Sequence, residues 1–342
     1  MAHGAVLAIL AAILFGVTTP LVKQFGAGVG AFATATLLYA GAALAAVRGS
    51  KAIEAHGLGR SELSRIALVA VLGAMLAPAS LAWGLQHSGA LAGSLLLNLE
   101  AVFTVLLARV LYRESLSVRV GFALVLMLAG GSLLAARARV GGESTLLGLL
   151  AVAVATLGWA LDNALTRPLA DFDARAVVLR KASFGAVLSL VAAAFLGENW
   201  PTLGAALALL VCGAVGYGAS LHLYLSAQRR LGAARTGSLF ALAPFVGAAI
   251  AFAAGDREAP LLVLASTGLF CAAVYLHVTE RHEHVHRHEA IEHEHAHRHD
   301  DGHHTHTHDP PVSGEHTHRH KHEAVEHEHP HGDDLHHRHE HD

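Results

Sequence analysis

The sequence predicts an all-α membrane protein: ten transmembrane helices arranged as two inverted five-helix repeats, followed by a disordered tail. Three observations predict it. Residues 1–279 hold only 29 of the 51 Asp, Glu, Lys and Arg residues and are otherwise dominated by Ala, Leu, Val and Gly. Helices of a water-soluble domain need a polar face, and this stretch cannot supply one. Ten segments in it are long and apolar enough to be read as spans, and similar residues recur at a fixed offset of 144.

A span takes roughly 20 mostly apolar residues, at 1.5 Å rise each, to cross a hydrocarbon core about 30 Å thick. The expected spans lie near 4–22, 28–47, 66–85, 89–108, 119–136, 146–166, 176–196, 203–225, 236–254 and 260–279. They must be helices, because backbone polar groups in lipid have to be satisfied within their own segment and barrel-type alternation is absent. The first span resembles a signal peptide only superficially, since Lys and Arg are missing from its start and similar segments follow. Cys212 and Cys271 stand in apolar runs without CxxC spacing and read as small buried hydrophobes.

Lys and Arg set the expected orientation. Fourteen of them fall in one set of loops, around Arg48 to Arg65, Arg109 to Arg119, Arg167 to Lys181 and Arg229 to Arg235. Only Lys23, Arg137, Arg139 and Arg257 fall in the opposite set. The positive-inside rule puts the first set in the cytoplasm, and an even number of spans puts both termini there too.

At the offset of 144, Gly4 meets Gly148, Phe15-Gly16 meets Trp159-Ala160, Lys23 meets Arg167, and Gly93-Ser94-Leu95 meets Gly237-Ser238-Leu239. Five spans per copy would set the second copy upside down, giving domains 1–137 and 146–279 with a tail at 280–342. Residues Tyr112-Arg113-Glu114-Ser115-Leu116-Ser117, and the run from Arg229 through Gly237 to Pro244, carry a resemblance as well. The chain resembles the EamA-type family of the drug/metabolite transporter superfamily over about residues 4–278. That resemblance implies ten helices in two inverted halves and a transport function without naming a cargo. Where the family commonly has proline in the fourth span, this chain has Glu100.

Ionisable groups inside spans are costly unless paired or hydrated, so each is a functional candidate. Glu100 lies near mid-membrane as a cation or proton site, or else makes a structural ion pair or a helix-packing hydrogen bond. Asn98 is two residues away, about 200° around a helix, so the pair cannot line one narrow stripe. Asp162, Asn163, His222 and Lys181 fall near one depth on three helices. They read either as an inner gate or metal waypoint with Lys181 as an exchangeable counter-ion, or as Asp162 neutralised by Lys181 or Arg180 while His222 snorkels or bonds a neighbouring carbonyl. Trp159, Tyr217 and Tyr224 line a cavity or anchor an interface. HExxH, Walker, GxSxG and Rossmann patterns are all absent, which argues against an enzyme.

The tail holds 23 of the 28 histidines and carries a net charge of −10 against +7 for the preceding residues. Its HxH runs comprise His282, His284, His286, His288, His293, His295, His297 and His299, then His303, His304, His306 and His308. A further set comprises His316, His318, His320, His322, His327, His329 and His331, and residues 286–297 and 320–331 are near copies. Alternate side chains of an extended chain point the same way, so two imidazoles can approach one ion. The expected ligands of the tail are therefore divalent transition metals, with no other cofactor required. The leading expectation is an inner-membrane secondary transporter of Ni²⁺, Co²⁺ or Zn²⁺ that uses the tail to capture or buffer ions. The alternatives are a small-metabolite or drug exporter whose tail senses metal or pH, and a membrane-anchored metal-binding protein. Expected partners are the bilayer, the transported ion or small molecule and, as a candidate, a second copy of the chain, but no nucleic acid.

Overall fold

The computed structural model describes residues 2–47, 60–112, 116–140, 144–166, 174–231, 233–256 and 260–279, together with 285–287, 292–297, 316–321 and 326–328. The chain divides into one unit at Met1–Glu280 and a second at Arg281–Asp342. The first unit is helical: α1 (Ala2–Phe25), α2 (Ala31–Val47), α3 (Arg60–Val69), α4 (Ala77–Gln86), α5 (Ala90–Leu96), α6 (Leu99–Tyr112) and α7 (Val118–Val140). It continues with α8 (Leu146–Thr166), α9 (Ala174–Phe195), α10 (Leu203–Cys212), α11 (Ser220–Leu231), α12 (Ala233–Phe240), α13 (Ala243–Ala253) and α14 (Pro260–Val278). A π-helical turn at Ala70–Leu76 joins α3 to α4, and another at Gly213–Ala219 joins α10 to α11.

The expected count of ten transmembrane helices is corrected. Among the described residues, seven helical segments are long and apolar enough to cross a membrane: His3–Phe25, Leu63–Gln86, Ala90–Leu111, Val118–Ala138, Leu146–Thr166, Arg175–Phe195 and Leu203–Gln228. The segments expected at 28–47, 236–254 and 260–279 are shorter apolar helices, Ala31–Val47, Ala243–Ala253 and Leu261–Leu276. The physical reason differs from case to case. The 17 residues of α2 rise only about 25 Å, and a turn at Ala241-Leu242 just before Pro244 splits the ninth segment into α12 and α13. Seven long helices among the described residues do not divide into two sets of five.

Small residues let the helices approach closely. A side chain at Gly41 of α2 would strike the Leu210 carbonyl of α10, and one at Gly213 would strike the Leu38 carbonyl of α2. Without a hydrophobic force to drive helices together in lipid, such backbone-to-backbone contact is how they gain dispersion energy. The core formed around them includes Leu38, Leu81, Leu85, Leu95, Leu209 and Phe270. Large apolar side chains cover the outside, Val118 and Phe195 among them at 91% and 90% exposure, as lipid requires. Cys212 is buried as expected, whereas Cys271 is exposed on α14.

The disordered tail is also corrected for its described residues. In the second unit β1 (Val285–Arg287) pairs antiparallel with β4 (Glu326–Glu328), and β2 (Glu292–His297) with β3 (His316–Lys321). The alternating pattern of the HxH runs has the period of a strand, and the register sets His293 opposite His320, His295 opposite His318 and His297 opposite His316.

The glycine contacts generate a test of the packing. Gly41→Val or Gly213→Val should destabilise the purified protein by about 1–3 kcal/mol through overpacking, read as a lowered melting temperature in detergent. The same change at Gly204, where nothing lies within 4 Å of an added Cβ, should be near neutral.

Candidate functional site

The site begins with a break in hydrogen bonding. At the π-helical turn Ala77 donates its N–H to Leu72 O, five residues back. The Gly73 carbonyl would pair with Ala77 in an α-helix or with residue 78 in a π-helix, but residue 78 is proline and has no N–H. Two side chains from other helices fill the gap. Tyr39 Oη of α2 donates to Gly73 O at 2.6 Å, and Trp159 Nε1 of α8 donates to it at 3.0 Å. One orphaned carbonyl thus fixes two aromatic rings. Beside it, the space where a Cβ of residue 73 would sit is taken by the Asp162 carboxylate.

Those rings belong to a larger cluster. Phe15 of α1 packs edge-on against Trp159 and Tyr217, with centroids 5.9 and 5.5 Å apart, and lies 5.6 Å from Phe240 of α12. Tyr217 sits in the second π-helical turn, 5.6 Å from Tyr39, and Tyr224 of α11 meets Phe240 at 5.1 Å. Together these rings wall a cavity of about 110 Å³, whose polar lining is Glu100, Asp162, Asn163, Lys181 and Ser220.

Asp162 is buried at 2% exposure and forms an ion pair with Lys181 of α9, and its second oxygen accepts from Thr166 at 3.1 Å. Asn163 Nδ2 donates to Glu100 Oε1 at 2.9 Å. Neighbouring residues of α8 therefore reach two different helices, Asp162 to α9 and Asn163 to α6. Ser220 turns its hydroxyl to Ala11 O at 2.8 Å, which ties α11 to α1 at the edge of the cavity.

Of the residues singled out in the sequence, Glu100, Asp162, Asn163 and Lys181 converge on the cavity. Asn98 does not. It lies in the turn between α5 and α6 and donates to Leu95 O at 2.9 Å. His222 is not part of the lining either; its Nε2 lies 3.2 Å from Arg175 Nη2. Trp159, Tyr217 and Tyr224 take the cavity option over the interface one. Tyr39, Phe240 and Gly73 were not marked in the sequence, and Phe15 was marked only as a repeat position. Aromatic residues inside apolar spans were the available signal.

Transition-metal ligation by the tail is corrected on the donor set. Among the described residues no group of three or more His, Cys, Asp or Glu is placed to hold a metal ion. Of the expected tail ligands, His286, His293, His295, His297, His316, His318, His320 and His327 fall on described strands. His282, His284, His288, His299, His303, His304, His306, His308, His322, His329 and His331 lie outside the described residues. So do Arg113, Glu114 and Ser115 of the loop motif after α6.

The ion pair yields an energetic test. Asp162→Asn takes from the largely buried Lys181 ammonium its ion-pair partner and should cost up to about 3–5 kcal/mol, seen as a fall in melting temperature. Combining it with Lys181→Met should recover most of the loss.

Known proteins share this fold. A solved crystal structure, 18% identical, superposes with a TM-score of 0.61 and covers 81% of this chain and 98% of its own. An uncharacterized transporter of Methanothermobacter thermautotrophicus is 31% identical over 204 residues, 56% of this chain and 58% of that protein. The chain thus spans somewhat over half the length of that relative. The EamA-like transporter family matches twice, over residues 2–136 and 146–279. These segments contain every lining residue of the cavity, and with both matched the chain, a multi-pass membrane protein, belongs to the EamA-like transporter family.

Proposed function

We propose that the protein exports a small organic solute, a metabolite or drug-like molecule, across the cell inner membrane, with the cavity between α1, α8, α9 and α11 as its binding site. The observation that carries this reading is the lining itself: aromatic walls on Phe15, Trp159 and Tyr217, with acidic and basic groups side by side at Asp162 and Lys181. Organic molecules with an apolar body and a charged or polar end suit such a lining. Asp162 and Lys181 would receive the polar end by exchanging partners, while Glu100 and Asn163 offer a second acceptor and donor. A divalent transition-metal cargo is the weaker reading. Ammonium beside carboxylate opposes a metal ion, and no ligand cluster accompanies it among the described residues.

Both termini are proposed to be cytoplasmic. A side chain at Gly4 would meet Arg230 and Leu231, and Thr279 accepts from Arg119 Nη2 at 2.6 Å, so both ends of the helical body lie beside loops rich in Lys and Arg.

Flux into proteoliposomes tests the reading. A panel of labelled organic cations, zwitterions and anions should include at least one transported solute, with Ni²⁺ and Zn²⁺ not carried. Glu100→Gln and Asp162→Asn should each lower that flux by about tenfold or more, as loss of a desolvated charged contact implies. Saturable Ni²⁺ or Zn²⁺ flux with no organic flux would overturn the assignment.

A further inference from the structure

Away from the polar lining of the cavity, at the opposite end of the helical body, the same small device occurs twice. Helix α9 ends in a Schellman cap: Gly197 has φ +63°, its N–H bonds Ala194 O at 3.2 Å, and the Glu198 N–H bonds Ala193 O at 2.9 Å. Helix α13 ends the same way, with Gly255 at φ +103° bonded to Phe252 O at 3.1 Å and the Asp256 N–H bonded to Ala251 O at 3.1 Å. In each case the residue after the left-handed glycine is an acid. That acid reaches across to another helix.

Glu198 Oε2 accepts the N–H of Ala33 at 2.8 Å, in the first turn of α2. Asp256 Oδ2 accepts the N–H of Leu91 at 3.0 Å, in the first turn of the Ala90–Leu111 span. Both receiving helices begin at a glycine, because the first helical bonds run from Thr34 N to Gly30 O and from Gly93 N to Gly89 O, each 2.9 Å. A glycine N-cap has no side-chain acceptor for the orphan N–H groups of the first turn. The distant carboxylate supplies it and lies where the helix dipole favours negative charge. At Gly30 the fit is close enough that any Cβ would collide with the Glu198 side chain. Both donors lie in the segment 2–136 and both acids in 146–279, so each contact joins the two matched halves.

We propose that Glu198 and Asp256 are a two-point clasp that holds this end of the transporter shut over the cavity, and that their release is the step that opens the cavity toward it. Weaker neutral contacts accompany the clasp at the same end, from Gln86 Nε2 to Val29 O and from Thr145 to His87 O, and they too join separate loops. The two carboxylates add charge to these contacts. Their bonds are made to the ends of helices that wall the cavity or pack beside its walls, so breaking them frees whole helices to move.

Thiol labelling tests the clasp without reference to substrate. Thr19 is 2% exposed and lies one helical turn beyond the cavity residue Phe15, toward the clasp, so a cysteine there reports opening at that end. In a Cys212→Ala, Cys271→Ala background, Thr19→Cys should react slowly with an impermeant maleimide presented to the clasp face of oriented vesicles. Adding Glu198→Ala and Asp256→Ala should raise the rate by about tenfold, and Glu198→Gln, which keeps an acceptor but loses charge, by less. An unchanged rate in folded protein would overturn the proposal. If the alanine variants fail to fold, a second measurement decides: Ala33→Cys with Glu198→Cys, joined by a cleavable bifunctional thiol reagent, should stop flux of the solute that the panel identifies and regain it on reduction. Continued flux in the cross-linked protein would equally overturn the clasp. The functional part rests on the proposed solute transport; absence of any flux before cross-linking would defeat that reading, while the labelling result would still decide the clasp.

Discussion

An ion pair inside a membrane-embedded body has to be satisfied from within, and the pairing of Asp162 with Lys181 organises the centre of this protein. It draws α8 and α9 together, and it needs the Asp162 carboxylate to press against the backbone at Gly73, where no side chain intervenes. The carboxylate's other oxygen is taken by Thr166, so the acid is held on both sides by its own and a neighbouring helix. Once Asp162 is fixed, its neighbour Asn163 reaches Glu100 on α6, and a second acid is tied to the same helix.

The Gly73 carbonyl extends that logic to the apolar side of the cavity. Pro78 deprives it of a helical partner, and lipid offers none. Tyr39 and Trp159 supply the missing donors and are thereby oriented in a cluster of rings around Phe15 and Tyr217. A backbone defect, a charged pair and an aromatic wall are therefore one construction. Its outcome is a space that offers both signs of charge at one side and π-faces at the other, which is the basis for reading it as a site for an organic solute.

Glycine carries the rest of the architecture in two distinct ways. Gly41 and Gly213 let α2 lie against the second π-helical turn at backbone distance, which rigidifies the walls of the cavity. Gly197 and Gly255 instead reverse the chain at helix ends and aim the following acid at a neighbouring helix. The first use holds helices together along their length. The second ties them only at one end, where a modest change in bonding can separate them.

The sequence by itself determined that this is a multi-pass helical membrane protein of the EamA-like type. Hydropathy and the cost of unsatisfied backbone in lipid are local properties that can be read along the chain. It also marked Glu100, Asp162, Asn163 and Lys181, because a charged or amide side chain inside an apolar run is visible without knowing its partner. Only the tertiary structure decided the partners: Lys181 for Asp162, Arg175 beside His222, and a turn carbonyl for Asn98. It also reduced ten expected spans to seven long helices and three short ones, since a turn before Pro244 and the actual length of α2 depend on packing that hydropathy does not register. The acids of the clasp carry no signal in the sequence for the same reason. What they bond lies 165 residues away in each case, and no local pattern encodes a contact between the end of one helix and the start of another.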